Sequence, residues 1–129
     1  MIYLDNAATT QMDERVLKAM VPYLITEYGN AGTLYKFGRT ANAAVQKART
    51  QVASLLHATS EQIIFTSGGS EANSLVFGGL KDYLKHIGKT HILVSAIEHD
   101  SVLRAAKSLI KDGFYVEYLL PHRDGTVSA

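Results

Sequence analysis

The chain has 129 residues, of which 13 are Lys or Arg and 12 are Asp or Glu, so its formal net charge is +1. This balance argues against a nucleic-acid or anionic-membrane partner, and no apolar run approaches the roughly 20 residues of a membrane helix. Hydrophobic residues make up 47%, enough for a core, and the chain has no cysteine, which excludes disulfides and nucleophilic thiols within these residues. With no signal-like N-terminus, the expected protein is soluble and cytoplasmic.

Residues 1–38 predict an N-terminal arm, a helix and a loop. A strand-like piece at 2–4 runs into a small polar stretch at 5–10. Asp13 is placed to cap a helix that Pro22 breaks or restarts. Glycines recur through residues 27–38, which therefore predict a loop.

Residues 39–129 predict a helix followed by a βαβαβ unit. Apolar residues recur at helical spacing over 39–56. Strands are predicted at 62–66, 91–95 and 114–119, and helices at 70–87 and 100–111. Alternating strands and helices predict an α/β fold, with a mostly parallel sheet between two layers of helices. Because three strands are few for such a sheet, the chain is expected to be the front part of a larger domain.

The strongest local signal for chemistry is the predicted strand, glycine turn and helix start at residues 63–73. Glycines let a ligand approach the backbone closely, and the first amides of a helix have no internal partner. Together with the helix dipole and the hydroxyl of Ser70, they predict a phosphate cradle at the carboxyl end of a strand. A plain turn capped by Ser67 or Ser70 fits this pattern equally well.

His99 follows the next predicted strand and opens a helix, so it is expected on the same rim as Ser70. The positive end of a helix favours neutral imidazole, which can stack on a flat ring or accept a proton. From the residues alone, a surface histidine beside the capping residues Asp100 or Ser101 is the better interpretation. The remaining histidines show no ligand spacing, so no metal site is predicted: His57, His86, His91 and His122.

Several motifs occur in the order and spacing of one known family: Tyr3 to Thr10, Gly29-Asn30 through Gly38, Ala48-Arg49, Ile63 to Asn73, and Glu98-His99. Over essentially its whole length the chain resembles the class V aminotransferases. Within them it is most similar to the cysteine desulfurases of iron–sulfur cluster assembly and tRNA thiolation. The resemblance implies an N-terminal portion of a fold-type-I transferase that uses pyridoxal 5′-phosphate (PLP).

The resemblance also implies roles for particular residues. Those matching Gly69 and Ser70 hold the PLP phosphate, and the residue matching His99 stacks on the pyridine ring and is proposed to move protons. The segment containing Asn6, Ala7 and Thr9 matches one near the substrate entrance. By the same resemblance the full-length enzyme would be a homodimer that converts L-cysteine to L-alanine, leaves a persulfide on an enzyme thiol and passes sulfur to an acceptor protein.

The chain departs from the family pattern at three places. The family's Asn-Pro-Ser-Ser-x-His segment reads Asn-Ala-Gly-Thr-Leu-Tyr over residues 30–35, and Ser70 stands where a threonine is usual. The family's Schiff-base lysine, its aspartate facing the pyridine nitrogen and its sulfur-accepting cysteine match nothing before residue 129. These 129 residues alone are therefore expected to be inactive.

Three alternatives remain open at this level. The chain could belong to another class V enzyme, such as a selenocysteine lyase or a small-molecule aminotransferase. It could be a truncated, non-catalytic binding or dimerisation module. A flavodoxin-like domain that binds a phosphorylated ligand would explain the βαβ pattern, although it would not explain the motif at residues 3–10.

Overall fold

Two helices make up most of the first half of the chain. In the computed structural model, which describes residues 2–128, α1 spans Glu14–Ile25 and α2 spans Lys36–Leu55. Asp13 caps α1 as predicted, because its carboxylate accepts the Arg15 N–H at 2.7 Å. The predicted break at Pro22 is wrong. The proline gives up one backbone donor, and the N–H and hydroxyl of Thr26 both donate to its carbonyl, at 2.9 and 3.0 Å.

The loop before α2 is closed by Asn30 and ends earlier than predicted. The Asn30 side-chain oxygen accepts the Gly32 N–H at 2.8 Å. The Asn30 backbone carbonyl accepts both the N–H and the hydroxyl of Thr33. Gly38, buried in the first turn of α2, lies against this loop. A Cβ at Gly38 would stand 2.6 Å from the Asn30 carbonyl oxygen and would also overlap Thr33, so the close approach requires glycine.

The strand predicted at residues 62–66 is wrong. A short 3₁₀-helix spans Ser60–Gln62, and residues 63–66 do not form a strand of the sheet that the described residues contain. The Arg49 guanidinium donates to the Ile63 carbonyl, an acceptor that a sheet ladder would use. Ile63 is buried, but Ile64 is 68% exposed and Phe65 48%, so the segment is not the buried strand that its composition predicted.

The second half of the chain contains a βαβ unit. The helix α3 (Gly69–His86) precedes this unit. The unit itself consists of β1 (His91–Ser95), α4 (Asp100–Ser108), a 3₁₀ turn (Leu109–Asp112) and β2 (Tyr115–Leu119). The strands are parallel, in register from His91 beside Tyr115 to Ser95 beside Leu119, as predicted for consecutive βαβ elements. Gly113 ends the 3₁₀ turn at φ 84°, a left-handed conformation that favours glycine.

The chain divides into two compact units, one ending at Ile64 and the other beginning at Phe65. In the second unit α3 packs on α4, and the buried residues come from β1, α4 and the segment that leads into β2: Val94, Ala106, Leu109 and Phe114. Among residues 2–128 the sheet has two strands rather than the three predicted. The finer division of the sequence into 1–38 and 39–129 stays a prediction.

Candidate functional site

The start of α3 presents unpaired hydrogen-bond donors. The first bond of the helix runs from the Ala72 N–H to the Gly68 carbonyl, at 3.1 Å. Within residues 2–128 no acceptor faces the backbone N–H groups of Gly69, Ser70 and Glu71, nor the Ser70 hydroxyl. Because α3 is 18 residues long, its dipole adds positive potential at these donors. The set has the chemistry of an anion cradle.

The turn that leads into this cradle is closed by Glu71. Its Oε2 accepts both the N–H and the hydroxyl of Ser67, each at 2.6 Å. The Ser67 hydroxyl, and then the Ser67 N–H, lower the pKa of Glu71 below its ordinary value, because both bonds favour the ionised carboxylate. The carboxylate is therefore engaged by Ser67, and the first amides of α3 stay available.

His99 caps α4 with its own ring. Nδ1 accepts the Ser101 N–H at 3.1 Å and lies 2.9 Å from the Ser101 hydroxyl oxygen. That oxygen in turn accepts a hydrogen bond from the Asn73 side-chain amide at 2.8 Å, in a partly buried contact between α3 and α4. The ring is thus held on one edge. Among the described residues, its Nε2 has no hydrogen-bond partner.

Ser70 and His99 line one cavity of about 430 Å³ in the second unit, although the strand whose end was expected to carry Ser70 does not form. That volume is in the range of small-molecule sites. The other lining residues come from α3 and α4: Ser74, Asp100, Ser101, Arg104, Ala105 and Ser108. Arg104 is paired with Asp100 at 3.1 Å, in an exposed ion pair. Gly69 is adjacent to Ser70 in the chain but does not line the cavity.

The predicted substrate-entrance residues lie in the first unit and are exposed: Asn6, Ala7 and Thr9. A turn holds them, since the Asp5 carbonyl accepts the Ala8 N–H at 3.1 Å. The Tyr3 hydroxyl lies 2.6 Å from the Thr9 hydroxyl, which fixes the arm on itself. The role of these residues at an entrance stays a prediction.

Two residues that organise the site, Asn73 and Ser101, could not be assigned this role from the sequence. Asn73 lies three positions after Ser70, so helical spacing places it on the same face of α3. Ser101 was considered only as a helix cap. What joins them is a contact between two helices, which local patterns do not reveal.

A second and larger cavity, of about 970 Å³, lies in the first unit and contains none of the predicted site residues. Its walls are mainly apolar residues of α1 and α2, among them Val16, Met20, Ala41 and Val45. Within residues 2–128 the His, Asp and Glu side chains form no group of three that could hold a metal ion. In the same range no helix is long and apolar enough to cross a membrane.

Comparison with known proteins gives consistent matches. The family model described as aminotransferase class-V matches residues 2–129. The putative cysteine desulfurase IscS 1 of Bacillus subtilis is 44% identical over 128 residues, which cover 99% of this chain and 34% of that protein. A solved NifS-like protein superposes with a TM-score of 0.80 at 33% identity. The match covers 92% of this chain and 32% of the NifS-like chain.

A further solved structure, SspA in complex with cysteine, superposes with a TM-score of 0.81 at 35% identity. The match covers 92% of this chain and 34% of that one. The chain thus spans about a third of the length of the proteins it matches. Its fold corresponds to the N-terminal part of the fold-type-I transferases. With the family model matched along the described chain, this protein belongs to the aminotransferase class-V family.

Proposed function

We propose that the chain is the N-terminal part of a PLP-dependent cysteine desulfurase, which converts L-cysteine to L-alanine and retains the sulfur as an enzyme persulfide. The observation that supports this most directly is the cavity shared by Ser70 and His99, in a chain whose relatives carry that name. The proposal includes a cytoplasmic homodimer that passes sulfur to an acceptor protein. The lysine and the thiol that the reaction needs are not assigned to any residue of this chain.

The residues present fit a pyridine cofactor with a phosphate arm. The unpaired amides of Gly69, Ser70 and Glu71 and the Ser70 hydroxyl form a donor set suited to a phosphate dianion. A Cβ built at Gly68 or Gly69 would meet no atom within 4 Å, so the space beside the cradle is open. The His99 ring on the same cavity offers a flat face for stacking.

When bound, PLP supplies an electron sink for chemistry at the carbon atoms of an amino acid. The part of the work assigned to this chain is binding and proton handling. Ser70 and the first amides of α3 hold the phosphate and so fix the position of the ring. His99 packs on that ring and holds or moves a proton at Nε2, the nitrogen that other described residues leave unbonded.

The test is turnover of L-cysteine by the full-length protein and by two histidine variants. His99→Ala is expected to lower alanine and sulfide formation by about 10²–10⁴-fold, the usual cost of losing general acid–base help. PLP occupancy, followed by absorbance, should fall much less, because other contacts hold the phosphate. His86→Ala, in the last turn of α3 and outside the cavity, is the matched control and should keep normal turnover.

Normal turnover in His99→Ala would contradict the role of this residue. If the parent protein formed no alanine from cysteine, the desulfurase proposal itself would fail. A keto acid product that retains the sulfur would identify an aminotransferase instead. The assay therefore also decides between the desulfurase and its relatives within class V.

A further inference from the structure

The hydrogen bonds around His99 determine which of its nitrogens carries the proton. Nδ1 accepts the Ser101 backbone N–H at 3.1 Å, and a nitrogen that accepts such a bond has its lone pair free of hydrogen. In the neutral ring the proton must then be on Nε2. This is the nitrogen without a hydrogen-bond partner among residues 2–128.

The Asn73 amide strengthens this arrangement through the Ser101 hydroxyl. Asn73 Nδ2 donates to Ser101 Oγ at 2.8 Å, which occupies a lone pair of that oxygen. The hydroxyl hydrogen is then directed to the remaining acceptor nearby, His99 Nδ1 at 2.9 Å. Ser101 therefore donates to His99 Nδ1 through both its backbone N–H and its hydroxyl. The side-chain amide of Asn73, on α3, orients the hydroxyl.

We infer that Asn73 and Ser101 are positioning residues that lock His99 in the Nε2–H tautomer and set its ring relative to the cradle at the start of α3. Asn73 lies one helical turn after Ser70, so the chain of bonds links the anion cradle to the ring that shares its cavity. The Asn73–Ser101 contact is partly buried, which protects it from competition by water. Every proton that His99 exchanges with a ligand then passes through Nε2.

The importance of this lock for turnover rests on the proposed function, whereas the tautomer does not. Nitrogen-15 NMR of the histidine side chains tests the tautomer directly in the full-length protein, without cofactor and then with PLP bound. The His99 signals are assigned by their loss in His99→Gln. In the parent protein, at a pH where the ring is neutral, Nδ1 should resonate as an unprotonated nitrogen and Nε2 as a protonated one.

Ser101→Ala removes the hydroxyl and the link to Asn73 and leaves the backbone N–H as the single Ser101 donor to Nδ1. That bond should then open more often, so the two His99 nitrogen shifts should move toward each other as the second tautomer becomes populated. Asn73→Ala should move them in the same direction by less, and Ser101→Thr should restore the parent shifts. Ser108→Ala is the matched control, because its hydroxyl lines the same cavity but donates to the Ala105 carbonyl at 2.7 Å. It should leave the His99 shifts unchanged.

Averaged nitrogen shifts in the parent protein, or parent-like shifts in Ser101→Ala, would overturn the inference. In turnover, Ser101→Ala should lower kcat with little change in KM, by less than the about 10²–10⁴-fold expected for His99→Ala. An unchanged kcat despite a mixed tautomer would remove the catalytic part of the inference. If the tautomer is confirmed but no alanine forms, the proposed function fails and the lock stands.

Discussion

At the scale of single residues, the hydroxyl of Ser70 is the side-chain donor of the proposed cradle. Ser70→Ala removes one charge-assisted hydrogen bond to a phosphate while leaving the helix amides in place. We expect a loss of about 1.5–3 kcal/mol in PLP affinity, the usual value for a hydrogen bond to a charged group. Titration of the cofactor-free, full-length protein with PLP, followed by absorbance, measures this loss.

Two further serine variants make the Ser70 result specific. Ser70→Thr keeps the hydroxyl and restores the family's usual residue, so it should bind PLP as the parent does. Ser74→Ala removes a hydroxyl one turn further along α3 that is already bonded to the Ser70 carbonyl, at 2.9 Å. It should change the affinity little. If the parent and Ser70→Ala bound PLP with equal affinity, the Ser70 hydroxyl would not be a phosphate ligand, and the glycine turn would serve only to start α3.

At the scale of elements, the start of α3 is sensitive to pH through Glu71. The pKa of Glu71 is lowered by its bonds from Ser67, so the ionised form stabilises the turn. This contribution is complete above the unfolded-state pKa of a glutamate, about 4.3, and is lost as the pH falls through the lower folded-state value. Glu71→Gln has nearly the same shape without the charge and should loosen the turn at neutral pH, where the parent carboxylate is ionised.

Hydrogen exchange of the Ser67 amide in the full-length protein reports this closure, after correction for the intrinsic effect of pH. In the parent protein, protection of the Ser67 amide should be constant near neutral pH and decrease only at acidic pH. In Glu71→Gln, protection should be weaker at neutral pH and should not show this decrease at acidic pH. Glu61→Gln offers a matched control, since its carboxylate lies in the 3₁₀-helix at 60–62 and does not contact Ser67. Equal protection in the parent and Glu71→Gln would mean that the carboxylate does not hold the turn.

Elements specified by local chemistry were predictable from the sequence. Asp13 accepts the N–H that an N-cap should accept, and Gly113 adopts the left-handed conformation that only glycine adopts easily. The absence of a strand at 62–66 was not predictable, because β-branched residues favour a sheet but do not supply a partner strand. There the Arg49 guanidinium takes the Ile63 carbonyl instead.

The candidate site was likewise predictable only where its signals are local in the sequence. Ser70 and His99 each follow a glycine turn or strand end and open a helix, and each signal is local in sequence. That they share a cavity depends on the packing of α3 on α4, because the strand predicted before Ser70 does not form and α3 lies outside the βαβ unit. The bond between Asn73 and Ser101 joins side chains 28 positions apart, so it depends on how α3 packs on α4.

At the scale of the whole molecule, the chain exposes more surface than folded proteins of its size. Its accessible surface is 10511 Å² at a mass of 14.1 kDa. A compact monomer of that mass exposes about 6,700 Å², and two separate compact units of half that mass expose about 8,100 Å² together. The excess is therefore present within the units themselves. Large apolar side chains contribute to it, among them Leu24, Ile25 and Ile64.

A polypeptide limited to residues 1–129 should therefore associate or be only marginally stable. A parallel sheet needs both faces covered and its edges paired, and the sheet described here has two strands. Exposed apolar surface of this extent is expected to bind another copy or to aggregate. Sedimentation at several concentrations, with thermal unfolding of the same samples, should show a dimer, larger species or a low melting temperature. A monodisperse monomer that unfolds cooperatively at about 65 °C, at the top of the mesophile range, would contradict this. It would mean that the exposed apolar side chains need no further partner.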